Sequence, residues 1–350
     1  MSALYTEVTG RGPDLVLLHG WALNLRVWDG LAAVLRPHFR LIAVDLPGHG
    51  RSAWTSGRCT PAEQAWLVHQ TLEPISDRYS LLGWSLGGQI AIDLAAATPA
   101  QIDRLILVAT TPKFVASDDW PRGAAPSSIA ALATKLRRDY QRTVSDFLEL
   151  QVRTSETGQE LLTQLRASLF AHGAAQPEAL QCGLDILAGN DLRPSLQHVQ
   201  ARTLVIAGQY DRITLPEASR ELAALLPSAR YEEFPRAAHA PFLSHREEFA
   251  ALIRSFLHTA PHARTGTRAG VRTRSRAKAK PLSRRRTAPR KRPAIAGARS
   301  APREGASRAK RATRKSTRGP SSARHAQPRA AKRAAGKSTR RAAKRPARKK

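Results

Sequence analysis

Three side chains set far apart in this 350-residue chain can share one piece of chemistry. Ser85 sits in Gly83-Trp84-Ser85-Leu86-Gly87-Gly88, Asp211 closes Gly208-Gln209-Tyr210-Asp211, and His239 lies in Ala237-Ala238-His239-Ala240-Pro241-Phe242. A serine hydroxyl is a poor nucleophile until an imidazole takes its proton, and the imidazole needs a carboxylate to hold its tautomer. The set predicts attack on an ester. Ser85 would carry the acyl group, His239 would pass its proton to the leaving alcohol, and Asp211 would orient His239. The oxyanion needs preorganised N–H donors. The reading assigns them to Leu86, directly after the serine, and to Trp21 in His19-Gly20-Trp21. Asp45 precedes the serine and reads as a turn residue, and His19 as a structural one that bonds loop backbone. Asp185 and Asp191 rank lower, while His49, His69, His172, His198 and His245 lack motif context and read as surface or loop residues.

The positioning elements follow from periodicity. Short continuous apolar runs at 15–18, 41–44, 80–82, 105–108 and 203–207 read as strands buried on both faces, and 231–234 as a last strand. Helical spacing recurs between them at 27–35, 61–72, 89–97, 216–226 and 246–257. Thr60 is placed to cap the second of these, with Pro61 in its first turn. Alternation of this kind builds a mostly parallel central sheet with helices on both faces, an α/β fold. All three candidate residues follow strands, so they would meet along one sheet edge. Gly83 and Gly87 leave room where strand and helix pass closely around an exposed serine. A G-x-S-x-G between strand and helix is the nucleophile elbow of α/β-hydrolases, whose order is also serine, acid, histidine.

The rhythm breaks between Lys113 and Pro194. Helical stretches at 128–138, 142–152, 157–170 and 177–188 read as a cap over the carboxyl ends of the strands, where such sheets bind ligands. The expected organisation is a hydrolase core of 1–112 and 195–260, a cap of 113–194, and a tail of 261–350. The tail holds 33 Lys and Arg and one acid, Glu304, which leaves 24 basic and 26 acidic residues for 1–260. All 19 aromatic residues precede the tail, so it cannot bury enough surface to offset chain entropy and reads as disordered. Its charge suits sequence-independent contact with nucleic-acid phosphates, without base stacking. A dispensable solubilising extension and an attraction for acidic protein are the other readings.

Cys59 and Cys182 form neither a disulfide framework nor a metal spacing, and read as two reduced thiols of a cytoplasmic protein. The first residues show no basic start and no apolar segment of a signal peptide, and no run approaches a membrane span. The expectation is a cytoplasmic monomer without membrane contact, cofactor or metal.

A closer resemblance rests on several stretches together. They are Leu-Leu-His-Gly-Trp-Ala-Leu-Asn (17–24), Val-Asp-Leu-Pro-Gly-His-Gly-Arg-Ser (44–52), Leu-Gly-Trp-Ser-Leu-Gly-Gly (82–88), Asp-Trp-Pro (119–121), Gln-Arg-Thr-Val (141–144), Phe-Leu-Glu-Leu-Gln (147–151), Gly-Leu-Asp-Ile-Leu (183–187) and Ala-Ala-His-Ala-Pro-Phe-Leu-Ser-His (237–245). Over residues 1–258 the chain resembles the pimeloyl-[acyl-carrier protein] methyl ester carboxylesterases of biotin synthesis. The resemblance implies hydrolysis of that methyl ester by Ser85, Asp211 and His239, with no cofactor. It also implies substrate contacts from Trp21, Ser85, Leu86, Phe147, Leu148, Glu149, Leu150, Gln151 and His239. Carrier proteins are acidic, so exposed arginines on the cap would suit docking, and Arg137, Arg138, Arg142 and Arg153 are the candidates. The alternatives are a related hydrolase of small esters, lactones or carbon–carbon diketones, a cofactor-free haloperoxidase-like relative, or a nucleic-acid-binding protein with a hydrolase scaffold.

Overall fold

The computed structural model describes residues 3–55, 57, 59–152 and 158–258. The chain divides into two units, Met1–Thr267 and Arg268–Lys350, and the second lies outside the described residues, as does the whole 261–350 tail.

The described residues form a seven-stranded sheet and ten α-helices. In chain order these are β1 (Thr6–Gly10), β2 (Asp14–Leu18), α1 (Asp29–Leu35), β3 (Arg40–Val44), α2 (Pro61–Leu72), β4 (Tyr79–Trp84), α3 (Leu86–Ala97) and β5 (Ile102–Val108). Then come α4 (Pro126–Arg138), α5 (Tyr140–Val152), α6 (Gly158–His172), α7 (Pro177–Gly189), β6 (Arg202–Gly208), α8 (Pro216–Leu225), β7 (Ala229–Phe234), α9 (Pro241–Ser244) and α10 (Arg246–His258). The sheet order is β1-β3-β2-β4-β5-β6-β7. Every neighbouring pair is parallel except β1 with β3. Helices cover both faces, so the inner strands are apolar at successive positions. Leu15 to Leu18 and Leu105 to Val108 are fully buried.

One helix start follows from local chemistry and another departs from its expected place. The α2 start carries a capping box, with Thr60 accepting from the Glu63 N–H and the Glu63 carboxylate accepting from the Thr60 N–H. The segment after Asn24 begins as a 3₁₀ turn, Leu25–Trp28, before α1, so the helix expected at 27–35 is shorter than its spacing implies. The strand β1 falls outside the expectations. Thr6-Glu7-Val8-Thr9-Gly10 has no apolar run, because an edge strand buries only part of its surface. Pairing with β3, not composition, makes it a strand.

The cap leaves and rejoins the core at one place. The Leu192 N–H donates to the Pro112 carbonyl at 2.8 Å. Arg193 reaches Asp119 and Asp191, both at 2.6 Å, and so ties the two ends of the insert together. The cysteines correct an expectation. Cys59, in the loop leading to α2, and Cys182, on α7, form a disulfide with Cα atoms 5.3 Å apart. They are 123 residues apart in sequence, and only the folding of the cap back onto that loop brings them together.

Candidate active site

Ser85 stands between the end of β4 and the first residue of α3 with φ 55° and ψ −119°, a left-handed conformation that costs a non-glycine residue energy. The turn is held from both sides. A Cβ at Gly87 would run into the His19 carbonyl, and one at Gly83 into the Gly87 carbonyl. The serine is partly exposed while its neighbours are buried. The following helix leaves its first N–H groups without intrahelical partners, and Leu86 supplies the first of them beside the nucleophile.

The loop after β2 runs alongside. A methyl group at Gly20 would stand 3.4 Å from the Ser85 Cβ, which puts the Trp21 backbone next to the serine. His19 holds that loop: its Nδ1–H donates to the Gly20 carbonyl at 2.8 Å, and its Nε2 accepts from the Leu46 N–H at 3.0 Å. Burial pulls the His19 pKa below its ordinary value, so the ring is neutral, as these two bonds require.

Asp211 and His239 meet at the ends of β6 and β7. The His239 Nδ1–H donates to Asp211 Oδ2 at 2.7 Å, and both side chains are almost fully buried. The other oxygen, Oδ1, accepts from the N–H groups of Ile213 at 2.8 Å and Thr214 at 3.0 Å. These bonds fix which oxygen faces the imidazole. His239 Nε2 is buried with no hydrogen-bond partner among the described residues. It is the ring nitrogen left to take a proton.

Trp84 does more than occupy the elbow. Its Nε1–H donates to the His239 carbonyl at 2.8 Å, and its ring lies 5.5 Å from the imidazole. Sequence spacing carried no sign of this contact, because the partners are 155 residues apart.

Asp45, in the turn after β3, accepts from the Leu25 N–H, the Arg51 N–H and the His172 Nε2–H at 2.8, 2.9 and 2.8 Å. It braces a turn, as its place in the sequence suggested. His172 corrects a second expectation. It is buried at the end of α6, where a surface or loop position was anticipated, because α6 ends directly over this carboxylate. His49 is buried as well, and desolvation pushes its pKa down to about 3.

The stretch 147–151 is helical, so its residues fan around α5 and cannot all face one cleft. Phe147 packs edge-on against Trp21, with ring centroids 4.8 Å apart. Leu148 is fully buried, and Glu149 is exposed about 200° around the helix from Phe147. Glu149 therefore does not share the Phe147 face, contrary to the reading of the whole stretch as substrate-facing. The side chains of Leu150 and Gln151 lie outside the described residues, as does Arg153. Arg137, Arg138 and Arg142 are exposed at the junction of α4 and α5, and Arg142 stands 4.0 Å from Asp146. A cleft of about 480 Å³ lies between α4, α5 and the loop after β6. Phe114, Ile129, Leu132, Phe147 and Ile213 give it an apolar lining, with Lys135 and Arg212 also on its wall. No group of His, Cys, Asp and Glu among the described residues could hold a metal ion. No described helix is long and apolar enough to cross a membrane.

A serine presented on a strand-to-helix turn, an imidazole oriented by a buried carboxylate with its Nε2 left to accept a proton, and backbone N–H groups beside the serine can carry out acyl transfer to water. The profile of the alpha/beta hydrolase fold family matches residues 13–246. The pimeloyl-[acyl-carrier protein] methyl ester esterase of Nitrosomonas europaea is 43% identical over 251 residues, covering 72% of this chain and 98% of that protein. The protein of the same name from Nitrosospira multiformis is 40% identical over 258 residues, covering 73% and 98%. Among solved structures, an esterase from Exiguobacterium antarcticum superposes with a TM-score of 0.68 at 24% identity, covering 73% of this chain and 96% of that one, a likeness of fold. The chain thus belongs to the α/β-hydrolase family, among the pimeloyl-[acyl-carrier protein] methyl ester esterases.

Proposed function

We propose that the chain hydrolyses the methyl ester of pimeloyl-[acyl-carrier protein], releasing methanol and freeing the distal carboxylate, through an acyl-enzyme on Ser85. The observation that carries the reading is the buried Asp211–His239 pair at 2.7 Å, with Nε2 unpartnered, in a chain that spans nearly the full length of relatives of that name. His239 Nε2 takes the Ser85 proton as Oγ adds to the ester carbonyl. The N–H groups of Trp21 and Leu86 receive the oxyanion. Collapse breaks the bond to methoxide, which leaves with the proton from His239. Water then adds to the acyl-enzyme and gives a proton to His239, which returns it to Ser85 as the acid departs. The pimeloyl chain is a run of methylenes, which suits the apolar wall of Phe147 beside Trp21 and the adjoining cleft. The arginines 137, 138 and 142 offer an acidic carrier protein a basic docking surface on the cap, with Arg153 in the same set by sequence. Rescue of a biotin auxotroph lacking this esterase tests the reading. Wild type restores growth and Ser85→Ala does not. Failure of wild type, while short esters are still cleaved, refutes the substrate. Rescue by Ser85→Ala refutes the mechanism.

The tail supports a second, separate role. Its 33 basic residues against one acid, with no aromatic side chain, suit nonspecific binding of nucleic acid through phosphate contacts. Retention of nucleic acid by the full chain and by residues 1–260 is compared across a salt series. Salt-sensitive binding by the full chain alone is expected, and equal, salt-insensitive behaviour overturns it.

A further inference from the structure

We propose that the Cys59–Cys182 bond is a positioning element of the active site, which holds α7 on the core and thereby sets Trp21 and Leu86 as oxyanion donors. The inference rests on the reading of those two residues given above.

The bond joins two layers. Cys59 belongs to the core loop that enters α2, and Cys182 lies in the middle of α7, a cap helix. The next residue, Gly183, faces the oxyanion side of the site. A Cβ there would stand 2.5 Å from Trp21 Cδ1 and 3.2 Å from Leu86 Cδ2, so the α7 backbone lies against the side chains of both residues. Three residues earlier, the Leu180 carbonyl accepts from the Trp21 indole N–H at 2.9 Å. Cys182 and Gly183 also line one small void with Leu86 and Ile90 of α3. Positions 180, 182 and 183 thus form one short segment, bonded to the core through sulfur and packed on the side chains of the two donor residues. A helix moves as a body, so a shift at Cys182 is carried to Trp21 and Leu86. Displacements on the order of 1 Å at a reacting centre cost up to ~100-fold in rate.

The chemistry that opens the tie is thiol–disulfide exchange with a dithiol reductant. One reductant thiolate attacks Cys59 Sγ, on the partly buried side, and breaks the S–S bond. Cys182 leaves as a thiolate and takes a proton. The second reductant thiol then displaces Cys59 from the mixed disulfide. The products are two protein thiols and the oxidised reductant, a transfer of two electrons and two protons. Reoxidation by a disulfide donor reverses every step.

The test uses the full chain. Non-reducing peptide mapping locates the 59–182 link. kcat and KM on a short chromogenic ester are measured before dithiothreitol, after it, and after reoxidation with oxidised glutathione. Because the tie serves the transition state, kcat should fall roughly tenfold on reduction, with KM within about twofold, and recover on reoxidation. Cys59→Ser should show the reduced kcat and ignore dithiothreitol. If that variant does not fold, the reversible wild-type titration decides the matter alone. Two free thiols in the unreduced chain overturn the inference. So does an unchanged kcat accompanied by a lower melting temperature, the result of a purely structural bond. Activity retained in Ser85→Ala would instead locate the failure in the catalytic reading.

Discussion

Asp211→Asn isolates the part of the site that the geometry specifies most tightly. In the wild type, Oδ1 accepts two backbone N–H groups and Oδ2 accepts the imidazole Nδ1–H. Asparagine keeps one acceptor. The N–H groups of Ile213 and Thr214 hold the amide oxygen on their side, so the NH₂ turns toward His239. A donor facing Nδ1 forces the imidazole proton onto Nε2, the nitrogen that must accept from Ser85. The substitution changes the charge by one unit and the shape hardly at all, so the fold persists while the base is presented in the wrong tautomer. Loss of the correct tautomer in a serine triad costs about 10⁴ in kcat, or about 5 kcal/mol in the barrier. The assay is kcat and KM on a short ester, with the near-ultraviolet circular dichroism spectrum as the control for folding. KM should move little, because Asp211 does not touch substrate. Nitrogen-15 chemical shifts of His239 should report the proton on Nδ1 in the wild type and on Nε2 in the variant. A folded Asp211→Asn enzyme that retains a tenth of wild-type kcat would refute the role drawn here for the buried pair.

Other perturbations read different contacts. Trp84→Phe removes the donor to the His239 carbonyl and leaves a buried acceptor unpaired, for a loss of about 1–3 kcal/mol in urea titration. kcat should fall while KM on a short ester holds, and a change in KM alone would assign Trp84 to substrate binding instead. Burial pushes the Asp93 carboxyl up to about 6, above its value of 3.8 in the unfolded chain. The native state then binds more protons across that window, so this group costs stability progressively as pH rises from about 4 to 6. Asp93→Asn should raise stability by roughly 1–2 kcal/mol at pH 7 and by nothing at pH 4, and equal melting-temperature shifts at both pH values would contradict this. His172→Ala removes one of three donors to the buried Asp45, at a cost of about 1–3 kcal/mol. If melting and proteolysis are unaffected, the contact does not fasten the cap.

Much of the architecture was written locally. Unbroken apolar runs mark strands that water never reaches, and Thr60 with Pro61 and Glu63 sets a helix start from side chains within one turn. The order Ser85, Asp211, His239 after β4, β6 and β7 was legible for the same reason: parallel strands deliver their ends to one edge. The strand β1 was not, since a polar edge becomes a strand only when β3 offers it hydrogen bonds. The Phe147–Gln151 stretch shows the limit of reading a motif as a unit, because helical rotation sends Phe147 to Trp21 and Glu149 to solvent.

The sequence by itself determined the chemistry, since a nucleophile, a base and an acid are residue types, and their places at strand ends follow from short-range pattern. Tertiary structure decided what holds that chemistry in place. Trp84 on the His239 carbonyl, His172 on Asp45, and Cys59 bonded to Cys182 join residues more than a hundred positions apart. Contacts at such separations leave no periodicity in the chain. They exist only once the strands have assembled into the sheet, the cap has folded back over it and burial has required each polar group to find a partner.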